Sequence, residues 1–567
     1  MLIFCDNADK KEDRMTHTPA WLKTYPKNVN WHARLTPKPL YALLDEAERR
    51  WPEARAIDFM GRHYTYHELA EDVARIATGL QKMGIKRGVK VGLCLPNCPQ
   101  AVIAYFAILK TGGTVVNFSP LYSAKEIAHQ INDSGTEVMI TLALQATYPK
   151  VAENLNNTTL KKIIVSSLAE ALPLAKRLAF PILKRGEIAE IPQDDRHIAW
   201  DQLLDCEPLV TPALVHPGED IAVLQYTGGT TGVPKGVILT HANLYINAVQ
   251  CGLWFAEAEK GCERIMGVLP LFHVFAMTTV MNFGIHIGAE LILHPRFELK
   301  KLLEDITTKK PTLMPGVPTL FSAVNQCRDL DKYKLTSLKF CISGGAPLPV
   351  AVKKKFQELT GCILVEGYGL SESSPVVSCN ILQAENKSGS IGLPFPGTIL
   401  EVVDKDNPSK LLGAGETGEI CVRGPQVMHG YLHSLNETNH VLQDGRLHTG
   451  DIGYMDEEGY FYIVDRLKEM IISGGFNIYP RHVEEATYKH SAVAECAVIG
   501  LKHESRGEVP KAFVVLKANH RLDARELIDF LKAELPNYAV PRDIEFREAL
   551  PKTMVGKVDK KVLKAGG

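Results

Sequence analysis

Tyr226-Thr227-Gly228-Gly229-Thr230-Thr231-Gly232-Val233-Pro234-Lys235-Gly236 is a run of glycines and hydroxyls with one lysine, set between two apolar segments. Ile221-Ala222-Val223-Leu224-Gln225 before it and Val237-Ile238-Leu239 after it are short, apolar and partly β-branched, which predicts strand, loop, strand. Glycines let backbone N–H groups approach an anion with no Cβ in the way, while Thr227, Thr230 and Thr231 add hydroxyls and Lys235 a charge. That is the chemistry of holding a polyphosphate. It is not a Walker loop, because the order is Pro234-Lys235-Gly236 and a strand follows instead of a helix. A plain flexible hairpin loop is the competing reading, weakened by the length of the run and its fixed lysine.

With 567 residues the chain has room for more than one domain, and 45% apolar and 23% charged residues describe an ordinary globular protein. A formal net charge of -1 gives no global basic bias, so nucleic acid is not expected as a partner. The twelve cysteines are scattered, the closest pair being Cys94 and Cys98, with no second pair or histidines at ligand spacing. This argues against a zinc site or disulfide framework and, with the charged stretch from Met1 to Met15 lacking a signal-peptide core, for a cytoplasmic location. Residues 1–30 read as a disordered or loosely packed extension. The longest apolar stretch, Val274 to Ala289, is interrupted by Asn282, Gly284, His286 and Gly288, so a buried helix is expected and no membrane span.

From Trp31 to about Thr141 strands alternate with helices: a small hairpin at Ala56–Phe59 and His63–Thr65, strands at Val89–Leu95, Val115–Asn117 and Val138–Thr141, and a helix at Pro99–Thr111 with Ala101, Ala104, Ile108 and Leu109 inward. The pattern predicts a mostly parallel sheet covered on both faces. Leu172 to Arg185 interleaves Lys176, Arg177, Lys184 and Arg185 with apolar residues, which reads equally as a membrane-facing surface or as a solvated basic helix docked on its own protein.

Further on, Leu313–Thr319 and Phe340–Leu348 each read as a strand ending in a glycine turn, the kind of turn that walls a pocket at the carboxyl ends of strands. In Leu364–Ser373 a strand runs into Gly367-Tyr368-Gly369, where Tyr368 can stack on a planar ring, and Glu372 offers a hard oxygen for Mg²⁺. Residues 415–431 alternate like β-structure. Asp451 sits in the tight loop His448-Thr449-Gly450-Asp451, by itself a common turn former. The polar step Asp465-Arg466-Leu467-Lys468-Glu469 reads as a linker, and the remaining hundred or so residues suit a separate small domain.

The run at 226–236 resembles the phosphate-binding loop of the adenylate-forming superfamily of acyl-CoA synthetases, aryl-CoA ligases, luciferases and peptide-synthetase adenylation domains. Its Tyr-Thr-Gly-Gly-Thr-Thr-Gly form is most like that of bacterial long-chain fatty acyl-CoA ligases. The resemblance extends in matching order from about Tyr64 to Lys557. It implies an α/β fold: a large N-terminal adenylate-forming domain (31–465, two α/β sheets plus a small β-subdomain), a hinge (466–470) marked by Lys468, and a small mobile α+β lid (471–567). It further implies ATP and AMP binding by Thr227, Gly228, Gly229, Thr230, Thr231, Gly232, Lys235, Gly345, Ala346, Pro347, Glu366, Gly367, Tyr368, Gly369, Ser371, Asp451 and Arg466, with Mg²⁺ held by Thr230 and Glu372. His273, Val274, Met277, Gly316, Val317 and Gly344 would border the acyl pocket, and Ser473, Gly474 and Gly475 the coenzyme A channel. Lys557 would be the catalytic lysine, with Lys235 and His273 assisting.

The implied reaction activates a long-chain fatty acid to acyl-AMP and passes the acyl group to coenzyme A. An aryl-CoA or medium-chain ligase is the alternative within that chemistry, and a non-catalytic nucleotide-binding module the alternative outside it. A luciferase-like oxygenase and a ligase loading a carrier protein are weaker competitors. Peripheral attachment to the inner face of a membrane and a homodimer complete the expectations. Met277 stands where some long-chain members carry tryptophan, which leaves open whether a side chain gates the acyl tunnel.

Overall fold

The computed structural model describes residues 19–227, 234–382, 386–467, 469–473, 476–503, 506–553 and 556–565. The expected hairpin is present: strands Ile221–Thr227 and Lys235–Thr240 pair antiparallel, with Thr227 opposite Lys235. Among the described residues they belong to an eight-stranded sheet, whose remaining strands at 114–117, 90–94, 138–142, 162–166 and 197–199 run parallel. Its other edge is the two-residue strand Gly430–Tyr431, antiparallel to Lys235–Thr240.

Among the described residues a second sheet has nine strands. Arg55–Phe59, Glu290–Leu293, Arg264–Gly267, Leu313–Gly316, Phe340–Ser343 and Ile363–Gly369 are parallel, and antiparallel strands close both edges. The 55–65 hairpin is one of those edges. Helix Pro99–Lys110 is buried over its whole circumference, not on the single face its sequence suggested, because its side chains share one apolar core with strands of both sheets.

An antiparallel β-subdomain, with five strands among the described residues including Ile399–Val403, Gly418–Arg423, Arg446–Met455 and Phe461–Arg466, follows. The C-terminal unit is α+β, as expected. Its hairpin Val493–His503/Gly507–Leu516 carries Asp543–Phe546 in parallel, under helices Pro480–Tyr488 and Ala524–Glu534. Asp523 caps the second helix by accepting from the N–H groups of Arg525 and Glu526.

Three boundaries differ from the sequence reading. Residues 19–30 are not loose: Trp21 is buried and packs on Trp31 and Phe461, a burial that contributes on the order of 2–3 kcal/mol. Arg466 ends a strand of the large domain, opposite Asp451, and does not open the linker. Gly430-Tyr431 leaves the β-subdomain and joins the first sheet beside Val237 and Ile238.

The stretch from Val274 to His286 is a buried helix, as anticipated, with a π-helical section at Met277–Asn282. Leu174–Leu183 is a helix with no buried residue. Phe180 and a Lys176–Met60 carbonyl hydrogen bond of 2.8 Å anchor it, while Leu174, Leu178, Leu183 and Ile182 are between 67% and 79% exposed. No helix among the described residues is long and apolar enough to cross a membrane.

Candidate active site

Parallel register explains why distant segments meet. Ser343 lies opposite Glu366, so the turns Gly344-Gly345-Ala346-Pro347 and Gly367-Tyr368-Gly369 leave the same end of the second sheet. The buried Glu366 carboxylate ties this region together, accepting from the N–H groups of Leu348 at 3.4 Å and Gly389 at 3.2 Å; burial raises its pKa above the ordinary carboxylate range. Gly369 is required by close approach, since a Cβ there would lie 1.9 Å from the Pro375 carbonyl oxygen.

Register also builds the next group. Asp451 and Arg466 are cross-strand partners, and the Arg466 Nε donates to Asp451 at 3.1 Å while the Tyr368 hydroxyl donates to its other oxygen at 2.6 Å. One carboxylate thus fixes an aromatic ring and a guanidinium whose segments lie far apart in sequence.

Lys557 reaches this group from the C-terminal unit. Its loop is closed by Thr553 N–H donating to the Lys557 carbonyl at 2.7 Å, and it touches the large domain where Thr319 Oγ donates to the Gly556 carbonyl at 3.4 Å. The lysine stem runs over Gly345, which has φ +80° and where an added Cβ would lie 2.9 Å from Lys557 Cε. Burial, helped by the Arg466 charge, lowers the amine to about 8, against the pull of Asp451 and Glu469. The same lysine and, above all, burial push His273 down to about 4, so that imidazole is neutral at pH 7.

His273 leads into the buried helix. Its Nδ1 accepts from the Phe275 N–H at 3.3 Å, and the Phe275 ring covers Gly344, where a Cβ would meet it at 2.9 Å. Val274 and Met277 are buried, and Asn117 Nδ2 lies 3.3 Å from Met277 Sδ and 3.0 Å from Gln225, on the strand that enters the phosphate loop. Gly316 has no room for a Cβ against the Phe321 ring, and Val317 lines the seat of Gly556. Behind these residues lies an apolar cavity of about 20 Å³, bounded by Phe255, Thr279, Phe283, Pro315, Phe340 and Ile342. That volume has room for roughly one water molecule, so an alkyl chain can enter only if its walls move.

At the end of the hairpin 221–240, Lys235 is ion-paired with Glu437 and its ammonium lies 5.3 Å from the centre of the Tyr431 ring. The Tyr431 hydroxyl donates to Glu372 at 2.8 Å, in the turn that begins at Ser371. Tyr431 therefore bridges the loop lysine and the candidate metal ligand, a role the sequence reading missed along with Glu437. A two-residue strand carries no periodicity, and its pairing with Lys235–Thr240 spans almost two hundred residues. Thr227 and Lys235 flank the loop, while Gly228, Gly229, Thr230, Thr231 and Gly232 lie outside the described residues, as do Lys468, Gly474 and Gly475. Ser473 is buried in the C-terminal sheet, opposite Phe476 and Gly507.

The AMP-binding enzyme family model matches residues 44–432, and the model of the AMP-binding enzyme C-terminal domain matches 482–557. A long-chain-fatty-acid–CoA ligase of Bacillus subtilis (strain 168) is 43% identical over 549 residues, 95% of this chain and 96% of that protein. A protein of the same name from Salmonella typhimurium is 38% identical over 557 residues, covering 96% and 97%. Among solved structures, the anthranilate CoA ligase AuaEII in complex with anthranoyl-AMP superposes with a TM-score of 0.83 at 26% identity, over 94% of this chain and 98% of that one. ATP-bound MatB from Rhodopseudomonas palustris gives 0.82 at 25%, over 94% and 99%. With both parts matched in order along the chain, and with the Lys557 loop of the second brought against the Gly345 turn of the first, this chain belongs to the family of AMP-binding, adenylate-forming enzymes.

Proposed function

We propose that this enzyme activates a long-chain fatty acid with ATP to acyl-AMP and transfers the acyl group to coenzyme A, releasing pyrophosphate and AMP. The observation that carries the reading is the meeting of Lys557 with Gly345, His273 and the Tyr368–Asp451–Arg466 group; the long-chain relatives of matching length support the substrate class. A carboxylate is a poor electrophile, and a mixed anhydride with AMP supplies a good leaving group. As the carboxylate oxygen attacks the α-phosphorus, negative charge grows on the phosphate oxygens, and the Lys557 ammonium stabilises it most at the transition state. Tyr368 stacks on adenine and Asp451 accepts the ribose hydroxyls. Lys235 and the loop N–H groups take the pyrophosphate.

Glu372 fits a Mg²⁺ ligand: it is a carboxylate positioned by the hydroxyl of Tyr431, the ring that the Lys235 ammonium approaches. Thr230 would share the ion, whose chemistry is to neutralise the leaving pyrophosphate. Neutral His273 lies where the acyl carboxylate enters, and the apolar cavity behind it supplies the wall for the alkyl chain. The thiol of coenzyme A then attacks the acyl carbonyl and AMP departs.

The test is CoA-dependent AMP formation across straight-chain acids of graded length plus an aromatic acid. The expected result is highest kcat/KM for long chains, through opening of the Phe255, Phe283 and Phe340 wall. A maximum at the aromatic or medium-chain acid would replace the substrate assignment.

Lys235→Ala is expected to slow pyrophosphate release by about 10²-fold while leaving thioester formation from supplied acyl-AMP nearly unchanged. Rapid-quench measurement of both half-reactions checks it, and equal damage to both would contradict a pyrophosphate role.

The exposed helix Leu174–Leu183 supports a membrane-surface reading for the same enzyme. Its apolar side chains face solvent beside Lys176, Arg177, Lys184 and Arg185, a pairing that suits an anionic bilayer in which fatty acid is dissolved. At about 1 kcal/mol per basic residue, changing all four to Glu should weaken binding to anionic vesicles by roughly 10³-fold or more. Unchanged vesicle sedimentation would reject the docking surface.

A further inference from the structure

Strand register assembles a second cluster that the cysteine spacing does not reveal. Cys421 stands directly opposite His448, and Glu419 lies two residues before Cys421 on the same strand face. His448 Nδ1 is 2.8 Å from Glu419 Oε2 and 3.4 Å from Cys421 Sγ, and one ligand atom of each residue lies within 4.8 Å of the others. Once the thiol gives up its proton to solvent, thiolate, imidazole and carboxylate supply three of the four donors of tetrahedral Zn²⁺, with water as the fourth. With Zn–S near 2.3 Å and Zn–N near 2.0 Å, that geometry asks for about 3.5 Å between sulfur and nitrogen, close to the separation already present. Only the carboxylate has to withdraw, by about half an ångström.

The surroundings favour a cation here. Among the described residues the other comparable cluster, Asp58, His63 and Glu290, is already neutralised by Lys309 at 2.7 Å from Asp58 and Arg264 at 3.1 Å from Glu290. Near Glu419 the arginines are engaged elsewhere: Arg446 and Arg423 pair with Glu401 at 2.5 and 3.2 Å. His448 and Glu419 keep a little exposed surface, which gives an ion a way in although Cys421 is buried.

We propose that Glu419, Cys421 and His448 form a binding site for a borderline-soft divalent cation of the Zn²⁺ class, and that its occupancy loosens the nucleotide loop. The second part follows from Glu419, whose other oxygen accepts from the Gly450 N–H at 2.9 Å and so holds the turn immediately before Asp451. An ion held by Oε2 shifts the carboxylate by that half ångström and so strains the hydrogen bond that its other oxygen accepts from Gly450. The register shift between Glu419 and Cys421 makes residues 449–451 a bulge on this side of their strand, which the Gly450–Glu419 and Thr449–Ile420 hydrogen bonds tie to the neighbouring strand.

Co²⁺ serves as the spectroscopic probe, added to the full chain with Mg²⁺ in excess. One equivalent should give a thiolate-to-cobalt charge-transfer band that is lost in Cys421→Val and retained when Cys5 and the incompletely buried Cys206, Cys262 and Cys327 are changed to Ser. No band in the wild type, or a band that survives Cys421→Val, overturns the site. Should that variant fold poorly, Glu419→Gln, which keeps an oxygen for Gly450, should weaken Co²⁺ binding by roughly 10–100-fold, and unchanged binding overturns the site equally. The loop coupling rests on the proposed nucleotide role: Zn²⁺ should suppress pyrophosphate release in the wild type and spare Cys421→Val, and suppression indifferent to Cys421 overturns the coupling. Because the spectroscopic arm needs no substrate, failure of the functional reading and failure of the site are distinguishable.

Discussion

Lys557→Ala is expected to reduce pyrophosphate release by about 10²–10³-fold and to leave thioester formation from supplied acyl-AMP within a few-fold of wild type. The asymmetry comes from where charge appears: it grows on the α-phosphate only in the adenylation step, and Lys557 is the amine that lies over Gly345 between His273 and Arg466. The pH dependence carries the same signature. The amine is lowered to about 8 by burial and by the Arg466 charge, so in the free enzyme it is charged below that pH and neutral above it. Adenylation kcat/KM should therefore be level on the acid side of 8 and decline on the alkaline side, the direction for a group that works as a cation. Single-turnover pyrophosphate release between pH 6 and about 10 reads this directly. A decline centred near the ordinary lysine value, or equal loss of both half-reactions in the alanine variant, would remove Lys557 from the role.

Much of that geometry was legible in the sequence, and the reasons differ by element. The strand–loop–strand at 221–240 was readable because two apolar runs flank a glycine loop, and both strands stand where the pattern put them. The alternation from 89 to 141 gave the parallel sheet for the same reason. Roles for Tyr368, Asp451 and Lys557 were a different matter: by composition they are an aromatic, a turn former and a surface charge, and only the family resemblance set them around one nucleotide. What escaped both kinds of reading depends on pairings between distant segments. Tyr431 meets Lys235 through a two-residue strand, Glu437 reaches the same lysine from a short helix, and Glu419, Cys421 and His448 converge through register. Trp21 was misjudged because the charged residues before it set the expectation for the whole extension, whereas its partner, Phe461, lies at the far end of the large domain.

Asp451→Ala should produce the largest loss in ATP handling, roughly 10²–10³-fold in kcat/KM for ATP, with a smaller change in thermal stability. Its carboxylate accepts two hydrogen bonds in this structure, from Tyr368 and Arg466, before any ribose is considered. Bonds to a charged group contribute about 1.5–3 kcal/mol each, and losing the ordering of ring and guanidinium together costs about 3–4 kcal/mol of transition-state binding, which is the stated factor. The ranking of variants separates this from simple unfolding. Asp451→Asn keeps the shape and an acceptor oxygen but loses the charge facing Arg466, so it should fall between wild type and alanine. Tyr368→Phe removes one hydroxyl bond and retains the stacking face, so it should cost least, on the order of 1 kcal/mol or about fivefold. Isothermal titration with ATP beside a melting curve for each variant gives both readouts. If the three variants lose ATP binding equally, or in proportion to their loss of melting temperature, then Asp451 acts as a packing residue of the β-subdomain, and the ribose end of the site has to be sought elsewhere.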